Sequence, residues 1–165
     1  MFLNVALSFV GGPRFRAALV AVIAIVFALR QRWWSGLMLI AAASGMGAIN
    51  TALKYAVRRR RPHGLPGLIQ AGGYSFPSGH TSGSVVFLGA LAYLTWPIAG
   101  VRNVTWAAFG VAGVLATLIG RSRIELKAHH TSDVVAGYAI GTAWLAFILR
   151  LFARRLAQEY QSAEP

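Results

Sequence analysis

The sequence contains no cysteine. That excludes disulfides, thiolate metal sites and a cysteine nucleophile. Acidic side chains are almost as scarce: four Asp and Glu stand against sixteen Lys and Arg, for a formal net charge of +12. Charged residues of both signs make up only 12% of the chain, whereas a soluble domain carries about 25%. With so few carboxylates, most of the available acid–base chemistry rests on four acidic residues and four histidines. A basic chain suits nucleic acid, an anionic membrane surface or an anionic substrate. No soluble basic module is visible, and the basic residues sit between long apolar runs. Nucleic acid is therefore set aside as a partner, and a bilayer and an anionic substrate remain.

What the sequence does have is hydrophobic length. It is 56% hydrophobic, with a mean hydropathy of +0.57. Four segments are nearly free of charge: Trp33 to Leu53, Thr81 to Val101, Asn103 to Gly120 and Val134 to Leu149. A fifth, Ala17 to Leu29, is shorter and reaches spanning length with Phe15 and with Arg16 and Arg30 snorkelling at its ends. A membrane-spanning helix needs roughly 20 apolar residues. Five such runs in 165 residues leave too little polar surface to coat a soluble globule. The expectation is an all-α integral membrane helical bundle with five to six transmembrane helices, forming one domain over residues 1–165. Met1 to Pro13 reads as an interfacial helix or part of an extra crossing, and lacks the basic start of a secretion signal. Trp33, Trp34, Trp96 and Trp106 fall at one membrane boundary if the helices alternate in direction, as an aromatic belt does. Trp144 does not fit the belt and is expected inside. The pairs Gly79/Gly83 and Gly137/Gly141 read as close helix–helix packing, and the tail from Arg150 to Pro165 as a frayed helix end.

The chemistry lies in the gaps between these runs. Lys54 to Pro62 reads KYAVRRRRP, Pro77 to His80 reads PSGH, and Ser122 to Asp133 reads SRIELKAHHTSD. The second long helix ends where Lys54 and Arg61 lie, the next leaves from the same side, and the one after returns there carrying Arg123. Topology alone thus brings all three blocks to one membrane face. Lys54, Arg61 and Arg123 supply fixed positive charge suited to a phosphate group. Ser78 can cap the helix that follows it, whose N-terminal amides also attract anions, and His80 falls in its first turn. His129 and Asp133 are four residues apart and share a face if helical. A carboxylate on one imidazole nitrogen makes the other a better nucleophile. Arg58, Arg59 and Arg60 read as a solvated or lipid-facing charge run, and His63 and His130 as interfacial polar residues. A metal site built from His80, His129, His130 and Asp133 is opposed by the three surrounding cations, so neither metal nor cofactor is expected.

Taken together, the three blocks resemble the type 2 phosphatidic acid phosphatase superfamily, whose pattern is KxxxxxxRP, then PSGH, then SRxxxxxHxxxD. Lys54 with Arg61-Pro62 fits the first block, Pro77-Ser78-Gly79-His80 the second, and Ser122-Arg123, His129 and Asp133 the third. The resemblance covers about residues 30 to 150. It implies that His129 attacks phosphorus and forms a phosphohistidine, that Asp133 orients His129, and that His80 protonates the leaving alkoxide. Lys54, Arg61, Ser78, Gly79 and Arg123 would hold the phosphate oxygens. The implied activity is metal-independent hydrolysis of a membrane lipid phosphate. The first-choice substrate is a polyprenyl diphosphate or phosphorylated polyprenyl-linked sugar, followed by phosphatidic acid or phosphatidylglycerophosphate. A non-catalytic lipid-phosphate binding or transport component and a vanadium haloperoxidase-like enzyme are the alternatives. The third block departs from the family at Ile124 to Ala128 and at His130-Thr131, in the loop expected to shape the head-group pocket. Basic residues are nearly balanced between the two faces, with Arg30, Arg32, Arg102, Arg150, Arg154 and Arg155 on the face opposite the site. The resemblance places the site on the outer face of a bacterial inner membrane.

Overall fold

A computed structural model describes residues 2–62, 72–99 and 102–162. The described residues form six helices: α1 (Phe2–Val10), α2 (Pro13–Leu29), α3 (Trp33–Val57), α4 (Gly79–Ala99), α5 (Arg102–Glu125) and α6 (Thr131–Gln161). Each apolar run of the sequence becomes one helix. Their outer faces stay apolar and uncovered: Val22, Ile25, Val111, Val135 and Leu151 are each about 60% exposed. Large aliphatic side chains standing outward on several helices are what a lipid-facing surface requires. By length and composition, α3, α5 and α6 can each cross a membrane, and α1 with α2, bent by 47° between them, can make a fourth crossing if the pair is one span. Helix α4 has 21 residues, which at about 1.5 Å per residue matches the roughly 30 Å of the hydrocarbon core in length. The chain is an integral membrane helical bundle.

Helix α1 packs along the end of α5. Asn4 donates to Glu125 at 2.6 Å, Arg123 donates to Ser8, and Gly11 lies against Ile119. Helix α1 therefore descends antiparallel along the end of α5. The bend then hands the chain to α2, which continues to the far side. Pro13 opens α2 at a position where its missing N–H costs nothing.

Helix α4 is the central element and packs against α2, α3, α5 and α6. Ala90, Val86 and Leu94 are buried in the shared core with Met38, Leu39, Met46 and Ile148. Gly137 and Gly141 let α6 touch the α4 backbone. A Cβ at Gly141 would lie 2.9 Å from the carbonyl oxygen of Ser82, and one at Gly137 3.0 Å from that of Ser78. That contact sets the N-terminus of α6, with Asp133, against the N-terminus of α4, with His80. Trp144 turns inward as expected, and its indole N–H donates to the carbonyl of Ala42 at 2.9 Å. The tail does not fray after Arg150. Helix α6 continues to Gln161, because Leu156 is buried and Glu159 accepts from Ser35 Oγ at 2.6 Å and from the N–H groups of Trp34 and Ser35. Glu159 thereby caps α3, a favourable place for an anion.

Candidate active site

The three polar blocks meet at one end of the bundle, as the topology requires. Among the residues lining a cavity of about 420 Å³ there are Lys54, Arg61, Gly79, His80, Arg123 and His129. Ser78 and Asp133 sit behind the cavity wall and are fully buried. Ser78 Oγ faces the first turn of α4, accepting from Thr81 Oγ1 at 2.9 Å. Its N–H donates to the carbonyl of Asp133 at 3.0 Å, which ties the PSGH turn to the start of α6.

His129 and Asp133 do come together, but not as neighbours on a helix. Helix α6 begins at Thr131, and His130 is its N-cap. His129 is placed instead by a turn in which Lys127 adopts a left-handed conformation, φ 51°. The carbonyl of Arg123 accepts from the N–H groups of both Ala128 and His129. This local hydrogen bonding holds the loop despite its departure from the family pattern. Nδ1 of His129 lies 3.6 Å from Oδ2 of Asp133, long for a hydrogen bond. Ser75 occupies the gap, donating from Oγ to Oδ2 of Asp133 at 2.5 Å and lying 3.5 Å from His129 Nδ1. The carboxylate also accepts from the His130 N–H at 2.9 Å and pairs with Arg59 at 2.9 Å. Asp133 is thus both the capping residue of α6 and the anion behind His129.

Three residues take roles other than those their sequence positions suggest. Arg59 is not a free surface charge, since it neutralises a buried carboxylate and also donates to Ser132. Arg16 does not snorkel outward. Its guanidinium turns into the cavity wall and donates to the carbonyls of Gly79 at 3.1 Å and His80 at 3.4 Å. The space at Gly83 is filled by Arg16 rather than by the backbone of a neighbouring helix: a Cβ there would lie 2.1 Å from Arg16 Nη2. Ser75 and Asn50 were also missed. Asn50 is buried, bonded to Ser82 at 2.8 Å, and lines the cavity. Their only sequence signal is position: Ser75 belongs to the PSGH context, and Asn50 lies one helical turn before Lys54. His63 lies outside the described residues.

The cations are braced by backbone. Lys54 Nζ donates to the carbonyls of Tyr74 at 2.8 Å and Pro77 at 2.9 Å. Arg61 donates to those of Gly72, Gly73 and Ala128, and its Nη1 lies 3.2 Å from His129 Nε2. Arg123 is 1% exposed, and its Nε has no hydrogen-bond partner among the described residues. A buried, unspent guanidinium donor in a cavity wall is suited to an anionic ligand. Burial, then the charges of Arg61, Arg123 and Lys54, hold the His129 imidazole well below the usual histidine range, with Asp133 opposing. His129 is therefore neutral at neutral pH, with Nε2 toward Arg61 and Nδ1 toward the carboxylate. Burial likewise lowers Arg61, the Asp133 charge opposing. Among the described residues no group of three or more His, Asp and Glu is arranged to hold a metal ion.

A helical membrane bundle whose cationic cavity holds a carboxylate-backed histidine is of the phosphate-handling class. The chain belongs to the PAP2 superfamily, whose model matches residues 33–157. It is 28% identical over 147 residues to phosphatidylglycerophosphatase B of Bacillus subtilis, covering 88% of this chain and 71% of that protein. It is 40% identical over 95 residues to lipid phosphate phosphatase 1 of Arabidopsis thaliana, which spans 54% of this chain and 29% of that one. It is 30% identical to a lipid A 1-phosphatase of Rhizobium johnstonii, covering 73% of this chain and 49% of that protein. The fold is similar to the crystal structure of a transmembrane PAP2 type phosphatidylglycerolphosphate phosphatase from Bacillus subtilis. There the TM-score is 0.84 at 25% identity, over 92% of this chain and 75% of that one.

Proposed function

We propose that the protein is a lipid phosphate phosphohydrolase that works through a phosphohistidine on His129, without a metal ion. The observation that carries this is the setting of His129: an imidazole with Nε2 beside Arg61 at the cavity wall and Nδ1 backed by Asp133 and Ser75. Nε2 attacks phosphorus and the P–O bond to the lipid breaks. His80, on the same cavity, gives a proton to the departing alkoxide oxygen. Water then attacks phosphorus, giving a proton to His80; the P–N bond breaks, inorganic phosphate leaves, and both histidines return to their starting states. The positive charge that metals supply elsewhere comes from Lys54 and Arg61, held by backbone carbonyls, and from the buried Arg123, which donates to Ser8. Ser78 and Gly79 act through the N-terminus of α4.

A polyprenyl diphosphate or phosphorylated polyprenyl-linked sugar is the preferred substrate, ahead of phosphatidic acid or phosphatidylglycerophosphate. An apolar cavity adjoining the catalytic one supports a lipid in either case. The test is phosphate release from a panel of lipid phosphates by purified protein in detergent with a chelator present. Release is expected, with inhibition by vanadate. Complete loss in chelator, restored only by a divalent ion, contradicts the mechanism. The site faces outward from a bacterial inner membrane. In this cysteine-free chain Arg60→Cys should label in intact cells; labelling only after the membrane is broken contradicts that placement.

A further inference from the structure

Arg16 belongs to none of the three signature blocks, yet it reaches the catalytic cavity from α2. The chain makes room for it: Gly83 leaves the space its guanidinium fills, and the carbonyls of Gly11, Gly79 and His80 accept from it. Its position is also particular. A second cavity of about 420 Å³ lies between α2, α3 and α4, lined by apolar side chains such as Val20, Ile40, Met46 and Phe87. Arg16, with Pro13, Gly47 and Asn50, lines both this apolar cavity and the catalytic one. Arg16 therefore stands where a lipid chain would join its head group.

Charge points the same way. Lys54, Arg61 and Arg123 already surround the place of the scissile phosphate, and a phosphate monoester brings about two negative charges to them. A fourth cation at the junction has nothing to neutralise if the chain begins immediately after that phosphate. It has a partner if another phosphate lies in between. A guanidinium suits this, since its fork of donors can hold phosphate oxygens in pairs.

We propose that Arg16 is a specificity-determining residue that binds a second phosphate, placed between the scissile phosphate and the lipid chain. The substrate class is then lipids whose terminal phosphate is joined to the chain through another phosphate, either directly, as in a diphosphate, or across a short polyol. This rests on the lipid phosphate phosphatase reading above and narrows it. On binding, the guanidinium exchanges its long contact to the His80 carbonyl for phosphate oxygens, while the Gly79 contact keeps it oriented.

The experiment compares a matched pair, a prenyl diphosphate and the prenyl monophosphate of the same chain length. Phosphate release is measured with wild-type protein, Arg16→Gln and Arg16→Lys in detergent. The ratio of kcat/KM for diphosphate over monophosphate is expected to fall about 10- to 100-fold in Arg16→Gln, the scale of a lost charge-assisted hydrogen bond, mainly through KM. Arg16→Lys should retain part of the ratio, because a point charge remains without the fork. An equal fall on both substrates overturns the proposal, since Arg16 would then only brace the first turn of α4. Should Arg16→Gln fail to accumulate, Gly83→Ala carries the test: it keeps every charge and displaces the guanidinium, so the ratio should again fall, and an unchanged ratio overturns the proposal. Wild-type protein that releases phosphate from no lipid overturns the functional reading and this inference with it. An active wild type whose ratio is indifferent to Arg16 overturns this inference alone.

Discussion

Asp133→Asn separates the two jobs that the structure gives one carboxylate. Oδ2 accepts from Ser75 and from the His130 N–H and faces His129, whereas Oδ1 faces Arg59. An asparagine can keep its oxygen in the Oδ2 position and turn its NH₂ toward Arg59. The Arg59 side chain is 37% exposed, so it can swing to water, and a partly exposed pair of this kind contributes about 0–1 kcal/mol. The cap of α6 survives, and the fold should lose about 1 kcal/mol or less. Catalysis loses more. Phosphorylation at Nε2 leaves the imidazole cationic, and only the carboxylate charge stabilises it from behind. Replacing a charged by a neutral partner costs at least about 1 kcal/mol. A ceiling comes from the Coulomb attraction across the observed 3.6 Å, about 4.6 kcal/mol at an effective dielectric of about 20. At about 1.36 kcal/mol per decade, kcat should fall between about 5- and 2,000-fold. The assay pairs thermal unfolding in detergent with kcat on a nitrophenyl phosphate and on a lipid phosphate. If the melting temperature drops by several degrees while kcat of the folded fraction stays within about twofold of wild type, Asp133 is a helix cap and the mechanistic role is refuted.

Three further outcomes follow from the same geometry. His80→Ala should cost about 100- to 10,000-fold on a lipid phosphate, whose alkoxide needs a proton, and much less on a nitrophenyl phosphate; equal losses on both would remove His80 as the general acid. Arg61→Gln takes away the largest charge holding His129 below its ordinary range, so its proton affinity rises and the acid limb of kcat/KM should move to higher pH; a limb that stays put means that Arg61 does not tune the nucleophile. Gly141→Ala would place a Cβ 2.9 Å from the Ser82 carbonyl oxygen, an overpacking against backbone worth about 1–3 kcal/mol. Gly113→Ala meets nothing within 4 Å, so thermal unfolding should separate the two, and equal stability would contradict the α4–α6 packing.

The helix order and the face on which the polar blocks gather were legible because apolar length and loop position determine them directly. Lys54, His80, Arg123 and His129 could be placed together from topology before any side chain was seen. What escaped were residues whose direction is set by tertiary packing. Arg16 sits near the start of an apolar run, and nothing in that run tells whether it bends outward or inward; the space left by Gly83 decides. Arg59 is one of four consecutive arginines, and only the fold distinguishes it from Arg58 and Arg60. Ser75 needed the turn before α4 to carry it between His129 and Asp133. The spacing of His129 and Asp133 implied a shared helical face, yet the helix starts two residues too late for that. The loop and the cap bring the two side chains together by a different route. The tail showed its charges but not its partner, since Glu159 caps a helix more than a hundred positions earlier.

A covalent phosphate on His129 can be trapped and mapped. Purified protein is mixed with a radiolabelled lipid phosphate, quenched within the first turnover at alkaline pH, where a phosphohistidine survives, and digested for peptide mapping. Label is expected on the peptide carrying His129, absent in His129→Ala and present in His80→Ala when an activated phosphate ester is used. Label that persists in His129→Ala, or that depends on His80 instead, would rule out His129 as the nucleophile.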